Sequence, residues 1–289
     1  MRANRKKRRI TAIIVAAALF VMGLAIAALG ALFMGNDPHF ISKNDYKSVR
    51  HDVTDEFKSV TVTATTADVI FEASEDGSSY VLTYLPEKIG TQVYVEDGVL
   101  HVSTKDNRKW YEHISISIGK NSPSIVVYMP KGEYEALDVN VTTGDIIIDD
   151  ISPALMKVKT TTGDIKITDV PNSEELSAKA STGKVSLSSV HANKIDIETT
   201  TGSISLDDVI ASSSVHINAT TGDVKFTAFD SAEIYIKVTT GDVEGELLSG
   251  KLFVTDTTTG NVKVPYSTEG GACNIKTTTG DIEITLTNS

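Results

Sequence analysis

A column of acidic residues is the first feature of this sequence that could do chemistry. Five aspartates follow a recurring glycine: Asp145, Asp164, Asp223, Asp242 and Asp281. Stacked carboxylates suit hard cations such as Ca²⁺, which bind several oxygen ligands, and some repeat proteins bind calcium in this way. However, Lys184 interrupts the column, and aspartate beside a turn glycine also bonds local backbone and water. The sequence leaves both interpretations open and favours a solvated corner.

Other reactive side chains show no catalytic arrangement. The six histidines share neither a repeat column nor a metal-ligand spacing: His39, His51, His101, His113, His191 and His216. The single cysteine, Cys273, excludes an intramolecular disulfide framework and a thiolate zinc cluster. Polysaccharide-cleaving β-helix enzymes need long loops around a groove of charged residues, whereas these repeats vary in length by one residue. We predict no enzyme activity, catalytic residue, cofactor or metal site, with a carbohydrate-active β-helix as the less favoured alternative.

The glycine that precedes the acidic column marks an internal repeat. It recurs at Gly144, Gly163, Gly183, Gly202, Gly222, Gly241, Gly260 and Gly280. The successive spacings are 19, 20, 19, 20, 19, 19 and 20 residues. A period this regular is typical of a repeat architecture.

Apolar columns accompany the repeat. The column seven residues before the glycine is Leu137, Met156, Leu176, Ile195, Val215, Ile234, Phe253 and Cys273. The column two residues after it is Ile146, Ile165, Val185, Ile204, Val224, Val243, Val262 and Ile282. Because polar residues alternate with these columns, each repeat is predicted to be two strands with one buried face, joined at a glycine corner. Eight stacked coils would make an all-β β-solenoid about 38 Å long at the usual strand spacing of about 4.8 Å.

Threonine dominates the approach to each corner. The residue before the glycine is threonine in all eight repeats, and the preceding one is threonine in seven and Ser181 in the other. Alternation predicts that the threonine next to the glycine is buried and that the outer one is exposed. The phase then breaks at the glycine, where a residue without Cβ adopts a positive φ without strain. An ice-binding array would need two outward threonine columns spaced by two residues, whereas the second column holds lysine, asparagine or acid.

Residues 57–136 are predicted to be an amino-terminal β section that opens and caps the solenoid, and residues 137–289 the repeats themselves. "FKSVTVTATTADVIF" fits the repeat with Ala67 in place of glycine. Alternating strands follow, with turns predicted at Asp97-Gly98 and Gly119-Lys120.

The amino-terminal end predicts a membrane anchor. Residues 1–9 carry six basic residues and no acid, and residues 10–35 form an uncharged, mostly apolar run of 26 residues. A helix needs about 20 apolar residues to span a bilayer, and basic flanks stay in the cytoplasm. We therefore expect a single-pass protein with residues 1–9 inside and everything after 35 outside. A cleaved signal peptide is the alternative, although its apolar core would be unusually long.

Residues 36–56 are polar and are predicted to be a linker, part of which could be a short helix. After residue 9 the chain has 21 basic and 38 acidic residues, a formal charge of −17. Such a surface repels nucleic acid, so we expect no nucleic-acid partner.

The motifs "TTADVIF", "VEDGVLHV" and "VVYMPKG", followed by a series of "TTGDI" coils, resemble a bacterial "putative adhesin" family of unknown function that includes LiaG-like proteins encoded near envelope-stress regulators. The resemblance covers about residues 57–289. It implies an extracytoplasmic β-solenoid, often anchored in the membrane and linked to the cell envelope. It brings no catalytic residues.

Two functions remain open at this stage. The first is a non-catalytic binding or scaffold module that recognises an envelope component or a neighbouring membrane protein. The second is self-association, because "GDIEITLTNS" follows the last corner without a polar cap and is expected to leave an open strand edge that can pair with another chain.

Overall fold

Alternating apolar and polar residues form β-strands along almost all of the chain that can be described. The computed structural model describes residues 46–106 and 122–287. Contacts divide the chain into two compact units, and the described residues all belong to the larger one, which comprises residues 44–109 and 119–289. Within the described residues the secondary structure is all β.

The strands of the amino-terminal section are β1 (Tyr46–Val53), β2 (Ser59–Thr66), β3 (Asp68–Ala73), β4 (Ser79–Pro86), β5 (Ile89–Glu96), β6 (Val99–Asp106) and β7 (Ser124–Met129). The strands of the repeats are β8 (Tyr134–Thr143), β9 (Ile146–Asp149), β10 (Pro153–Thr162), β11 (Ile165–Thr182), β12 (Val185–Thr201), β13 (Ile204–Thr221), β14 (Val224–Thr240), β15 (Val243–Leu247), β16 (Leu252–Thr259), β17 (Val262–Lys263), β18 (Ala272–Thr279) and β19 (Ile282–Leu286).

The repeats stack as parallel coils, as the sequence predicts. We number them 1 to 8 by their corner glycines along the chain, and we call the copy around Ala67 the opening coil. Column residues pair in register between coils, for example Met156 with Leu176 and Leu176 with Ile195. The columns seven before and two after the glycine are buried in coils 1 to 6 and in coil 8. The β-solenoid prediction is confirmed for the described residues.

A second corner lies on the far side of each coil. Asp150, Asp169, Ser189, Asp208 and Ala228 adopt φ values of 49–57°. Each directly precedes a buried apolar residue: Ile151, Val170, Val190, Val209 or Phe229. Aspartate tolerates the left-handed region better than most residues, so the turn chemistry matches the geometry. This corner aims one further side chain into the core.

The final coils do not stack in chain order. β18 of coil 8 pairs with β14 on one side and with β16 on the other, so coil 8 lies between coil 6 and coil 7. Corner hydrogen bonds show the same order: the Gly241 N–H donates to the Thr279 carbonyl and the Gly280 N–H to the Thr259 carbonyl, both at 2.9 Å. The expectation that coil 8 forms the open end is therefore wrong. Coil 7 forms it, and we call residues 252–266 the terminal coil.

Composition explains this order. The terminal coil has Thr255 where coils 1 to 6 and coil 8 have an apolar residue, and it has Pro265, which lacks a backbone donor. Coil 8 instead buries Cys273, Ile275 and Ile282. Inserting the more apolar coil removes more apolar surface from water, since burial is worth roughly 25 cal/mol per Å².

Two crossover segments, residues 248–251 before the terminal coil and 267–271 after it, make the exchange possible. The Lys251 side chain is 5% exposed and pairs with Asp230 at 2.5 Å. Its ammonium also donates to the Ser249 hydroxyl at 2.9 Å. A Cβ on Gly271 would lie 1.7 Å from the Ala232 carbonyl oxygen. The crossover is therefore a packed junction with a compensated buried charge.

Antiparallel strands cover the amino-terminal end. β2 pairs with β8 and β6, and β3 pairs with β9 and β7. Beyond them, β5 pairs with β6 while β4 pairs with β7 and β1. Asp97 and Gly98, with φ of 50° and 75°, make the predicted hairpin turn. The turn predicted at Gly119-Lys120 lies outside the described residues.

One segment of the predicted linker is a strand. Residues 46–53 form β1, so neither a linker nor a helix is correct there. Only Val49 and Val53 give this strand an apolar face, and it pairs on one side, with β4. Such a short and weak alternation is easily missed in a sequence.

Among residues 46–106 and 122–287 there is no helix with the length and hydropathy needed to cross a membrane. The helix predicted at 10–35 lies outside the described residues and remains a prediction.

Candidate interaction surfaces

The corner glycines have a structural role. Their φ values are 139–150°, a region that favours glycine. A Cβ on Gly202 would lie 2.0 Å from the Gly183 carbonyl oxygen, and the other corners in coils 1 to 8 show contacts of 1.9–2.2 Å. Ala67 in the opening coil does not have a positive φ, so its Cβ is tolerated there. The glycines therefore set how closely the coils stack.

The corner threonines differ from the expectation. The threonine next to each glycine is exposed in coils 1 to 8, and so is the residue before it, so the prediction of an inner threonine column is wrong. The alternation of buried and exposed residues therefore ends one residue before the glycine, where two exposed residues follow each other. The buried residue is the one three before the glycine, and where it is threonine it binds the neighbouring coil, as Thr160 does by donating to the Gly144 carbonyl at 3.1 Å.

The acidic column bonds the backbone of neighbouring coils. The Asp145 carboxylate accepts the Asp164 N–H at 2.7 Å, and the Asp164 carboxylate accepts the Lys184 N–H at 2.7 Å. Asp242 accepts the Asp281 N–H at 2.8 Å across the exchanged junction. These hydrogen bonds link each aspartate side chain to the backbone of the adjacent coil, and they do so without a metal ion. Within the described ranges, no group of three or more His, Cys, Asp or Glu side chains is arranged to hold a metal ion.

Opposing influences act on Asp68 at the start of this column. Partial burial raises the pKa of its carboxyl, the hydrogen bond from the Asp145 N–H lowers it, and the Asp145 charge raises it. The net result is a raised pKa. The fold therefore penalises the ionised form of this carboxyl.

Two of the described histidines and the cysteine have packing contacts, whereas His191 is exposed and His51 is half-buried. His101 stacks on Tyr94 and His216 packs against Tyr235, with ring centroids 5.0 and 4.9 Å apart. Cys273 lies within the core of coil 8, where desolvation raises the pKa of its thiol to about 12. A thiol with that pKa is a poor nucleophile at neutral pH. His39 and His113 lie outside the described residues.

An open groove of about 660 Å³ runs along the strands that follow the corners of coils 4, 5, 6 and 8. Gly245 lies in its lining, at a column position where the neighbouring coils carry a buried side chain, and the Phe226 ring occupies the space of its missing Cβ. Its lining is mainly charged or polar, and Lys225 pairs with Glu244 at 3.0 Å. The sequence signal was a glycine in an apolar column.

A tyrosine-rich face lies on the outside of β1, β4 and β7. Tyr80 and Tyr128 stack with centroids 4.4 Å apart, and Arg50 covers the other face of Tyr80 at 3.7 Å. Tyr46 and Tyr84 form a second stack, with centroids 4.9 Å apart. The rings of each pair therefore cover one another. Direct cross-strand pairing creates this face, which the sequence alone did not reveal.

The terminal coil carries the most exposed apolar side chains of the repeats. Val254 is 64% exposed and Tyr266 is 93% exposed. Val262 is 43% exposed, although its column partner Val243 is fully buried. Exposed apolar residues that cluster in one place indicate an interaction surface.

These features define an all-β solenoid built from short parallel coils, with antiparallel strands over its amino-terminal end. The sequence matches the family described as Toastrack DUF4097 over residues 57–214 and again over residues 171–289. The chain belongs to this family.

Solved structures share the fold at low sequence identity. A "putative adhesin" from Bacteroides fragilis is 17% identical with a TM-score of 0.50, covering 85% of this chain and 98% of its own. A "putative adhesin" from Parabacteroides distasonis is 14% identical with a TM-score of 0.40, covering 83% and 98%. A "putative lipid binding protein" from the same species is 14% identical with a TM-score of 0.26, covering 85% and 98%. The comparison with curated proteins gave no match.

Proposed function

We propose that this protein is a non-catalytic binding or scaffold module of a bacterial cell envelope. A helix at residues 10–35 would anchor it in the membrane, with residues 1–9 in the cytoplasm and the solenoid outside. Its partner would be an envelope component or a neighbouring membrane protein, and the family resemblance connects it with adhesion or envelope stress.

The observation that carries this proposal is the continuity of the outward faces. Corners between strands take two residues, for example between Thr162 and Ile165, and β11 to β14 run unbroken through the far corner. In the described repeats the longest connection between strands, residues 264–271, contains the second crossover segment. Such coils present long wet faces to a partner and provide no loops to enclose a substrate.

The charge distribution supports the proposed location and limits the chemical classes of partner that the solenoid could bind. The chain after residue 9 has a formal charge of −17, and the basic residues before it match the positive-inside rule. A strongly acidic surface repels anionic lipid and nucleic acid, which favours a neutral or basic protein or glycan surface as partner.

Location can be tested by labelling one exposed position in intact cells. Thr200 is exposed in coil 4, and the native Cys273 is buried and gives little background. We expect Thr200→Cys to react with a membrane-impermeant maleimide before lysis, with the wild-type chain as control. Labelling that appears only after lysis would place the solenoid inside and refute the location.

Binding can be tested by photo-crosslinking in living cells. A photoreactive residue at Lys159 probes the face before the corner, and one at Lys166 probes the face after it; both positions are exposed in coil 2. We expect one face to give a discrete crosslinked partner, while the other serves as its control. Products of random size at both positions would contradict a binding role for these faces.

A further inference from the structure

Within the described residues, strand β16 of the terminal coil is paired on one edge only. We propose that β16 pairs antiparallel with β16 of a second copy of this chain, so that two solenoids join through their terminal coils. This inference goes beyond the proposed binding role, since it concerns a different surface and a partner of known identity.

The first argument is the open backbone edge. Within the described part of the chain, β16 pairs only with β18 and β17 only with β19. β16 spans eight residues, so one of its edges presents a row of free N–H and C=O groups. β17 has only two residues and Pro265 follows shortly after it, so β16 is the strand able to accept a partner.

The second argument is the incomplete core. Phe253, Thr255 and Val264 are half-buried here, although the corresponding positions in coil 8 are fully buried. Another β layer on this side would complete their burial, as coil 8 does for coil 6. An edge that is both unpaired and apolar favours strand addition.

The third argument is local charge. Two copies of a strongly acidic chain repel each other over most of their surfaces. On the terminal coil, Asp256 is neutralised by Lys276 at 2.8 Å and Lys263 by Glu283 at 2.5 Å. Val254 and Leu252 add uncharged surface. Two copies can therefore meet here without opposing like charges.

The fourth argument is self-complementary shape. A two-fold axis through Val254 places Phe253 of each copy opposite Thr255 of the other, because opposite residues in an antiparallel pair share a face. The large and small inward side chains then alternate across the junction. The same axis brings the two Val254 side chains together on the outer face.

The assembly should stop at two copies. At the other end of the solenoid, β6 and β7 cover the opening coil and antiparallel strands follow them. The two ends therefore differ, and a two-fold contact uses the same surface on both copies. A closed dimer is expected in place of a filament.

Crosslinking of the full chain in detergent micelles tests the contact. Val254→Cys places a thiol next to the proposed axis, and Thr200→Cys is an exposed control in the middle of the solenoid. We expect a short bifunctional maleimide to link Val254→Cys into a dimer and to leave Thr200→Cys monomeric. No dimer at Val254, or equal dimer in both variants, would overturn the proposal.

A charge on the edge gives an independent measurement. Val254→Lys should weaken dimer association of the full chain by at least about tenfold, because two lysines would face each other across the axis. Light scattering across concentration measures the mass, and circular dichroism checks that the fold is kept. A folded Val254→Lys variant with unchanged association would contradict the proposed contact, whatever the crosslinking of other faces shows.

Discussion

The two ends of this solenoid differ in how their strand edges and apolar core are covered. At the amino-terminal end the opening coil has β partners on both sides, and antiparallel strands extend the cover beyond it. At the other end the terminal coil has a partner on one side within the described residues and keeps apolar side chains exposed. A repeat specifies how one coil meets the next, whereas an end needs either added strands or a coil that tolerates water. The comparison distinguishes residues that stabilise the contact between coils from residues that cover an end of the solenoid.

The largest expected effect tests which coil is at the open end. Cys273 belongs to coil 8, and its buried thiol has a pKa of about 12. Its thiolate fraction at neutral pH is on the order of a thousandfold below that of a free cysteine, whose pKa is about 8.5. We expect maleimide labelling of the native chain to be slower by at least that factor than in denaturant. Fast native labelling would mean that coil 8 forms the open end.

The next effect compares a corner in the middle with an open glycine. Gly202→Ala forces a Cβ to within 2.0 Å of the Gly183 carbonyl oxygen at a φ of 145°. We expect a loss of at least about 4 kcal/mol in the free energy of unfolding, since backbone must move in two coils. Gly132→Ala is the control, because nothing lies within 4 Å of its Cβ. Urea unfolding followed by circular dichroism measures both, and equal losses would argue against the corner contacts.

A matched pair of valines compares the inside of the stack with its end. Val243 is fully buried and Val262, in the same column, is 43% exposed. Val243→Ala should cost about 2 kcal/mol, because it removes buried methyl groups and leaves a cavity. Val262→Ala should cost under about 1 kcal/mol. Both variants are compared at concentrations where the chain is monomeric, and equal costs there would contradict the exposed placement of Val262.

The smallest effect concerns charge at the covered end. Desolvation raises the pKa of Asp68 in the folded protein. The favourable contribution of this carboxyl to folding stability is therefore complete below its unfolded pKa of 3.8 and is lost as pH rises through the folded pKa. Asp68→Asn keeps an acceptor for the Asp145 N–H and should stabilise the protein at pH 7 by about 0.5 kcal/mol, with the gain vanishing near pH 3.

Asp76 provides a control of opposite sign. Hydrogen bonds from Ser78 lower the pKa of this exposed carboxyl, so its contribution is present above the unfolded value and is lost as pH falls. Asp76→Asn should therefore reduce stability at pH 7. The same direction of change for both variants would exclude this electrostatic explanation.

The stack itself could be predicted from the sequence, because period-two columns and a corner glycine are local rules that recur in every coil. The position of coil 8 could not be predicted. Repeats with matching columns can stack on any neighbour, and the choice depends on the summed burial of Thr255 against Ile275 and on the junction of Lys251 with Asp230.

The other differences also have physical causes. Simple alternation predicts a buried residue directly before the glycine, although both residues before it are exposed. The residues of β1 have the composition of a linker, and they form a strand because they pair with β4, which is distant in sequence. The tyrosine-rich face and the groove at Gly245 depend on cross-strand neighbours, which one segment of sequence does not contain.

The crossover has a consequence for how the protein is made. The ribosome produces coil 7 before coil 8, so layers cannot be added in the order of synthesis. Coil 7 must either wait unstacked or leave coil 6 when coil 8 arrives, whereas ordinary solenoids grow by nearest-neighbour addition. Coil 8 pairs with both coil 6 and coil 7, and Lys251 pairs with Asp230 at the crossover between them. This end of the solenoid is therefore expected to form in a single late, cooperative step.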